Sequence, residues 1–190
     1  MYERQQAAFG YVPNYAKLFC HRPEVMERWA KLLAAIKRSV DSRRFELITF
    51  AAAHALHNSY CSLAHGRALT TFFDEDEVRA FASGKAGETL TEAELAMMRF
   101  ARKVAIDASE ISTHDIDELT EHGFSEEEIF DITATVAARS FFTKILDSLG
   151  AQPDISYLKM DRSLRQTLTV GRPIAHHEAE AISPQDQAPV

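Results

Sequence analysis

Three times along the chain a Ser, Thr or Asp is followed three residues later by Glu and then by an apolar stripe of helical period: Asp74 with Glu77, Thr91 with Glu94, and Ser125 with Glu128. In each pair the first side chain caps the amides of a helix's first turn and the Glu reaches back to the cap residue's own amide. Helix starts are thereby fixed by local chemistry. Upstream, Val25, Met26, Trp29, Leu32, Leu33 and Ile36 form a further stripe of period near 3.6, opened by Pro23, which suits a first helical turn. Only seven glycines and six prolines occur, and no alternating Val/Ile/Thr runs bounded by Asn-Gly or Asp-Gly turns are present. The expected fold class is all-α.

Composition narrows the partners. With 46% hydrophobic and 26% charged residues the chain has the balance of a packed globular protein. Its net charge of −7 gives no support for phosphate neutralisation, so nucleic acid is not an expected partner. No apolar run approaches the roughly 18 residues of a membrane span, and the first residues lack a basic-then-apolar leader pattern, so no membrane partner and a cytoplasmic location are expected. Cys20 and Cys61 make no disulfide framework, and a lone thiol in a reducing compartment serves either packing or chemistry.

The pattern predicts helices over 23–38, from 42 to about 58, from Thr91, over 112–119 and over 126–149, the last with Ile129, Ile132, Val136, Phe141, Ile145 and Leu149 on its inner stripe and Gly150 ending it. The second of these is apolar nearly all round, which predicts a central, buried helix whose carboxylate, Glu46, needs a partner. Residues 1–150 therefore read as one helical domain. Residues 151–190 read as an extension, with 151–172 expected to pack on a neighbouring subunit and 173–190, including His176-His177-Glu178, having tail composition.

Cys61 and His65 stand at i, i+4, on one face of a helix. Asn58 or Ser59 suits an N-cap, which places Cys61 in the first turn, where free amides and the helix dipole are expected to lower the thiol's pKa. Glu46, on the preceding helix, is positioned to orient the imidazole, completing a nucleophile, base and orienter. His54 and His57 would join Cys61 and His65 as a ligand set only on an unbroken helix. The break expected at Asn58-Ser59 parts them, so no metal is assigned.

Arg44, Glu46, Tyr60, Cys61 and His65 resemble the signature of the AhpD-like, or carboxymuconolactone decarboxylase, superfamily. That motif, a glutamate followed by Cys-x-x-Cys-x-x-x-His, falls on Glu46, Asn58, Cys61 and His65, with Asn58 in place of the first cysteine. The likeness extends to Val12-Pro13-Asn14, to Arg22-Pro23-Glu24 and to the helices between Thr91 and Gly150. It implies an AhpD-like helical domain that forms a homo-oligomer (dimer, trimer or hexamer) and uses no cofactor. The implied activity is that of a thiol-dependent peroxidase acting on a hydroperoxide with a thiol reductant. Cys61, His65 and Glu46 are its expected catalytic residues, and Asn58 and Tyr60 its substrate contacts. The alternatives are a cofactor-free lyase of carboxymuconolactone decarboxylase type, with Cys61 incidental, and an inactive helical binding protein.

Overall fold

The computed structural model describes residues 1–85 and 89–176, so His177, Glu178 and the rest of the tail lie outside the described residues. Among the described residues ten α-helices follow one another: α1 (Tyr2–Phe9), α2 (Asn14–Leu18), α3 (Pro23–Lys37), α4 (Ser42–Ala55), α5 (Ser59–Leu69), α6 (Glu75–Ala82), α7 (Glu92–Asp107), α8 (Thr113–Glu121), α9 (Glu126–Ser148) and α10 (Arg162–Leu168). Among the described residues there is no strand, and no helix is long and apolar enough to cross a membrane.

All three sequence-read capping boxes form, and Ser112 with Asp115 makes a fourth at the start of α8. The centre of the molecule is α4, which packs against α5, α7 and α9. Leu47, Ile48, Phe50 and Ala51 to Ala53 are all fully buried there, as a helix apolar on every side requires. The inner stripe of α9 differs from the expected one. Ile129, Ile132 and Val136 are buried as expected, but Phe141 is 43% and Leu149 61% exposed, and beyond Val136 the buried face continues through Arg139, Phe142, Thr143 and Leu146. Both stripes have helical spacing, and only the position of the neighbouring helices chooses between them.

The junction between α4 and α5 is a tight turn in which His57 adopts a left-handed conformation, φ 54°, and Asn58 donates its amide to the Ala53 carbonyl at 3.0 Å. The segment after Gly150 braces this turn. Gly171 donates its amide to Ser59 Oγ at 2.7 Å and lies so close to the His57 carbonyl that a Cβ there would fall 2.1 Å from the oxygen. Residues 151–176 thus find their core within their own chain. Tyr157, Leu164, Leu168 and Ile174 are buried, and α10 packs on α5 and α6. Ile155 and Leu158, on the outer side of the same segment, stay 37% and 41% exposed.

Candidate active site

The site is assembled by α4, α5 and α9. Asn58 is the N-cap of α5, its Oδ1 accepting from the Cys61 amide at 2.8 Å, and this turns the first coil of α5 so that Cys61 faces the core. Asn58 is itself buried, and its carbonyl oxygen is committed to the cap. Cys61 is 2% exposed and Cys20 is exposed, and both are free thiols.

One turn along α5, His65 Nδ1 meets Glu46 Oε2 at 2.6 Å. Burial alone would raise the pKa of Glu46. The hydrogen bond and charge of His65, followed by the Lys37 ammonium 3.7 Å from Oε1 and the charge of Arg139, reverse this and hold the carboxyl below its ordinary value. Burial, then the charge of Arg139, push His65 down, against the pull of Glu46. Both directions describe the same pair, an ionised carboxylate and a neutral imidazole. A carboxylate only accepts, so Nδ1 carries the proton and Nε2 is left as a lone-pair base. The contact brings together the imidazole and the carboxylate that the sequence placed on adjoining helices.

The expectation for the thiol itself is overturned. Burial pushes Cys61 up, the Arg139 guanidinium pulls it down less strongly, and Asp147 adds to the rise. A first-turn position lowers a thiol's pKa where water still reaches it, whereas here removal from water is the larger effect. No hydrogen bond joins Cys61 to His65 among the described residues. The contact to Sγ comes from Arg139 Nη1 at 3.6 Å, a residue the motif spacing did not indicate.

Tyr60 belongs to a different network. Its hydroxyl donates to Asp154 Oδ2, while Asp154 Oδ1 accepts from the Asn14 amide at 2.8 Å, and Tyr11 and Ser156 share a hydrogen bond of 2.8 Å nearby. Tyr60 thereby ties α5 to α2 and to the segment after Gly150. Burial, together with the Asp154 charge, pushes its hydroxyl far above the ordinary range, so it acts as a neutral donor. Among the described residues no cluster of three or more His, Cys, Asp or Glu is arranged to hold a metal ion.

Residues 23–103 match the Carboxymuconolactone decarboxylase family, and that span carries Glu46, Cys61 and His65. An uncharacterized peroxidase-related protein from Ralstonia eutropha JMP134, described as an alkylhydroperoxidase AhpD core, is similar at 25% identity and a TM-score of 0.73, over 85% of this chain and 87% of that one. The chain thus has the fold of AhpD-type all-α proteins, and its residues 23–103 are similar to the carboxymuconolactone decarboxylase family. The same fold is seen in an uncharacterized peroxidase-related protein from Silicibacter sp. TM1040, at 21% identity and a TM-score of 0.73 over 85% and 86% of the two chains. It is seen again in the debrominase Bmp8, at 19% identity and a TM-score of 0.69 over 88% and 87%. A cysteine-to-alanine form of that debrominase has been solved with 2,3,4-tribromopyrrole. No curated protein matches the chain. Within the superfamily motif this chain departs at Asn58, which supplies a cap where the pattern has a thiol.

Proposed function

We propose that the protein is a single-cysteine thiol peroxidase, in which Cys61 is the nucleophile, His65 the proton acceptor and Glu46 the group that fixes the imidazole. The observation that carries this reading is the 2.6 Å contact from His65 Nδ1 to Glu46, which leaves Nε2 unprotonated one helical turn from Cys61. In the reaction, the Cys61 proton passes to His65, sulfur attacks one oxygen of a hydroperoxide, an S–O bond forms and the O–O bond breaks. The alkoxide leaves as an alcohol with the proton held by His65. Sulfur is oxidised by two electrons to a sulfenic acid and the peroxide is reduced by two. With Asn58 where a resolving cysteine would stand, a monothiol from solution condenses with the sulfenic acid, releasing water, and a second monothiol frees Cys61 as the mixed disulfide breaks.

A second reading, the cofactor-free lyase, is favoured by one observation: burial keeps the thiol protonated, as an incidental core cysteine would be. Organic hydroperoxide consumption with a monothiol reductant separates the two. Cys61→Ser is expected to abolish it, His65→Asn to slow it by about 10²-fold or more, and mass spectrometry to find sulfenic acid on Cys61. Retention of turnover by Cys61→Ser would sink the peroxidase reading, and a parent protein that consumes no hydroperoxide would sink it in favour of the lyase.

Self-association belongs to the same reading. An apolar groove of about 590 Å³ between α3 and α9, lined by Val25, Trp29, Leu32, Ile36, Ala134 and Phe141, leaves Leu32 54% exposed and supports a homo-oligomer.

A further inference from the structure

One charge in the core has no use in the chemistry so far. Arg139 lies midway along α9 and is 4% exposed. Its Nη1 donates to Cys61 Sγ at 3.6 Å, and its Nε is buried with no hydrogen-bond partner. Among the described residues no carboxylate pairs with it. Arg43 and Arg44, which also reach between helices, end on Glu94 and Glu128. The flanks of Arg139 are instead aromatic, with Trp29 and Phe142 centred 5.7 and 5.6 Å from its Cζ and stacked on each other. A guanidinium does not shed its proton, so a buried one without a carboxylate is a standing cost until an anion forms beside it. The ionisable atom it touches is the sulfur.

We propose that Arg139 is a catalytic residue of this site, the fixed cation against which negative charge develops on Cys61 Sγ. For the peroxide step this rests on the peroxidase reading above. At rest the site holds the Arg139 cation, the Glu46 anion, a neutral imidazole and a protonated thiol. Transfer of the thiol proton to His65 converts these into two complementary pairs, thiolate with Arg139 and imidazolium with Glu46. A transfer that would otherwise separate charge in an apolar interior thus completes two ion pairs. After sulfur takes oxygen from the hydroperoxide, the same guanidinium faces the sulfenate. The other charges around the centre are Asp147 on α9, which opposes ionisation of the thiol, Lys37 on α3 beside Glu46, and Asp154 beyond Tyr60.

The test reads the thiol directly and needs no peroxide. In a Cys20→Ser background with 13C-labelled cysteine, the Cβ chemical shift of Cys61 is followed against pH for the parent, Arg139→Lys and Arg139→Met. The parent midpoint is expected to rise by at least about one pH unit in Arg139→Met, a tenfold loss of thiolate at a given pH, and to return part of the way in Arg139→Lys. An unmoved midpoint in a folded Arg139→Met protein overturns the proposal, whatever the peroxide assay shows. A moved midpoint with no peroxide turnover overturns the peroxidase reading and leaves the role of Arg139 standing. Should Arg139→Met not fold, Cys61→Asp and Cys61→Asn are compared in urea. The proposal requires the aspartate, which gives the cation a partner, to unfold at the higher concentration, and equal midpoints or the reverse order overturn it.

Discussion

The docking of α10 on the site helix is open to a double-mutant test, because Gly66 and Leu168 meet in a space too small for one more carbon. A Cβ added at Gly66, the residue after His65, would lie 2.5 and 2.8 Å from the two methyl carbons of Leu168, which is fully buried. Replacing glycine by alanine within a helix gains about 1 kcal/mol of backbone propensity, but forcing a methyl into a filled core costs about 1–3 kcal/mol, so Gly66→Ala is expected to lose about 1 kcal/mol net. Leu168→Ala leaves a cavity and is expected to cost about 3 kcal/mol, within the usual span for buried leucine. In the double variant the clash is gone, the propensity gain remains and the new methyl fills part of the cavity, so the total loss is expected to be about 2 kcal/mol rather than the additive value near 4. The coupling, about 2 kcal/mol in favour of the double variant, is measured by urea unfolding of all four proteins at equal subunit concentration. Additivity within about 0.5 kcal/mol would refute the contact. It would mean that Leu168 does not cover Gly66 of its own chain in solution, and the earlier expectation of docking on a neighbouring subunit would return.

Two further outcomes follow from the site. Asn58→Ala removes the cap of α5 and leaves the buried Cys61 amide without its 2.8 Å partner, so a loss of about 1–2 kcal/mol is expected in thermal or urea unfolding; an unchanged midpoint would show that the cap is not formed. Stability is also expected to fall in two stages on acidification, because His65 is held below its ordinary 6.5 and Glu46 below 4.5 in the folded protein. In each case the unfolded chain takes up the proton first, so the contribution of His65 is present above 6.5 and lost as pH falls through its folded value, and that of Glu46 follows below 4.5. Asp154, raised above 3.8, has the opposite sign: its contribution is present below that value and lost as pH rises through its folded one, so it partly offsets the second stage. Urea midpoints from about pH 8 to about pH 3 check this, and His65→Asn should reduce the first stage, leaving the share of His54, which burial also holds below its ordinary value. A first stage of unchanged depth in that variant would remove the neutral, buried imidazole from the argument.

What could be read in the chain and what could not divide along the range of the forces involved. The helix starts at Asp74, Thr91 and Ser125 were legible because a capping box is complete within four residues. The Glu46 to His65 contact was legible for a related reason. One turn, broken at Asn58, joins the two helices, and a carboxylate on an otherwise apolar helix has few other places to go. The protonation of Cys61 was not legible, since a first-turn thiol is activated or suppressed according to how much protein closes over it, and that cover is made by distant parts of the chain. Yet a signal for Arg139 was present. Positions 132, 136, 139, 143 and 146 share one helical face at i+3 and i+4 spacing, and placing Ile132, Val136 and Leu146 inward carries the arginine in with them. Choosing Phe141 and Leu149 for the inner face hid that charge, because it turned position 139 away from the core. An ionic side chain on what proves to be the buried stripe of a long helix must be answered by an opposite charge or by a reaction that creates one, and at this site the sulfur of Cys61 stands where that charge is needed.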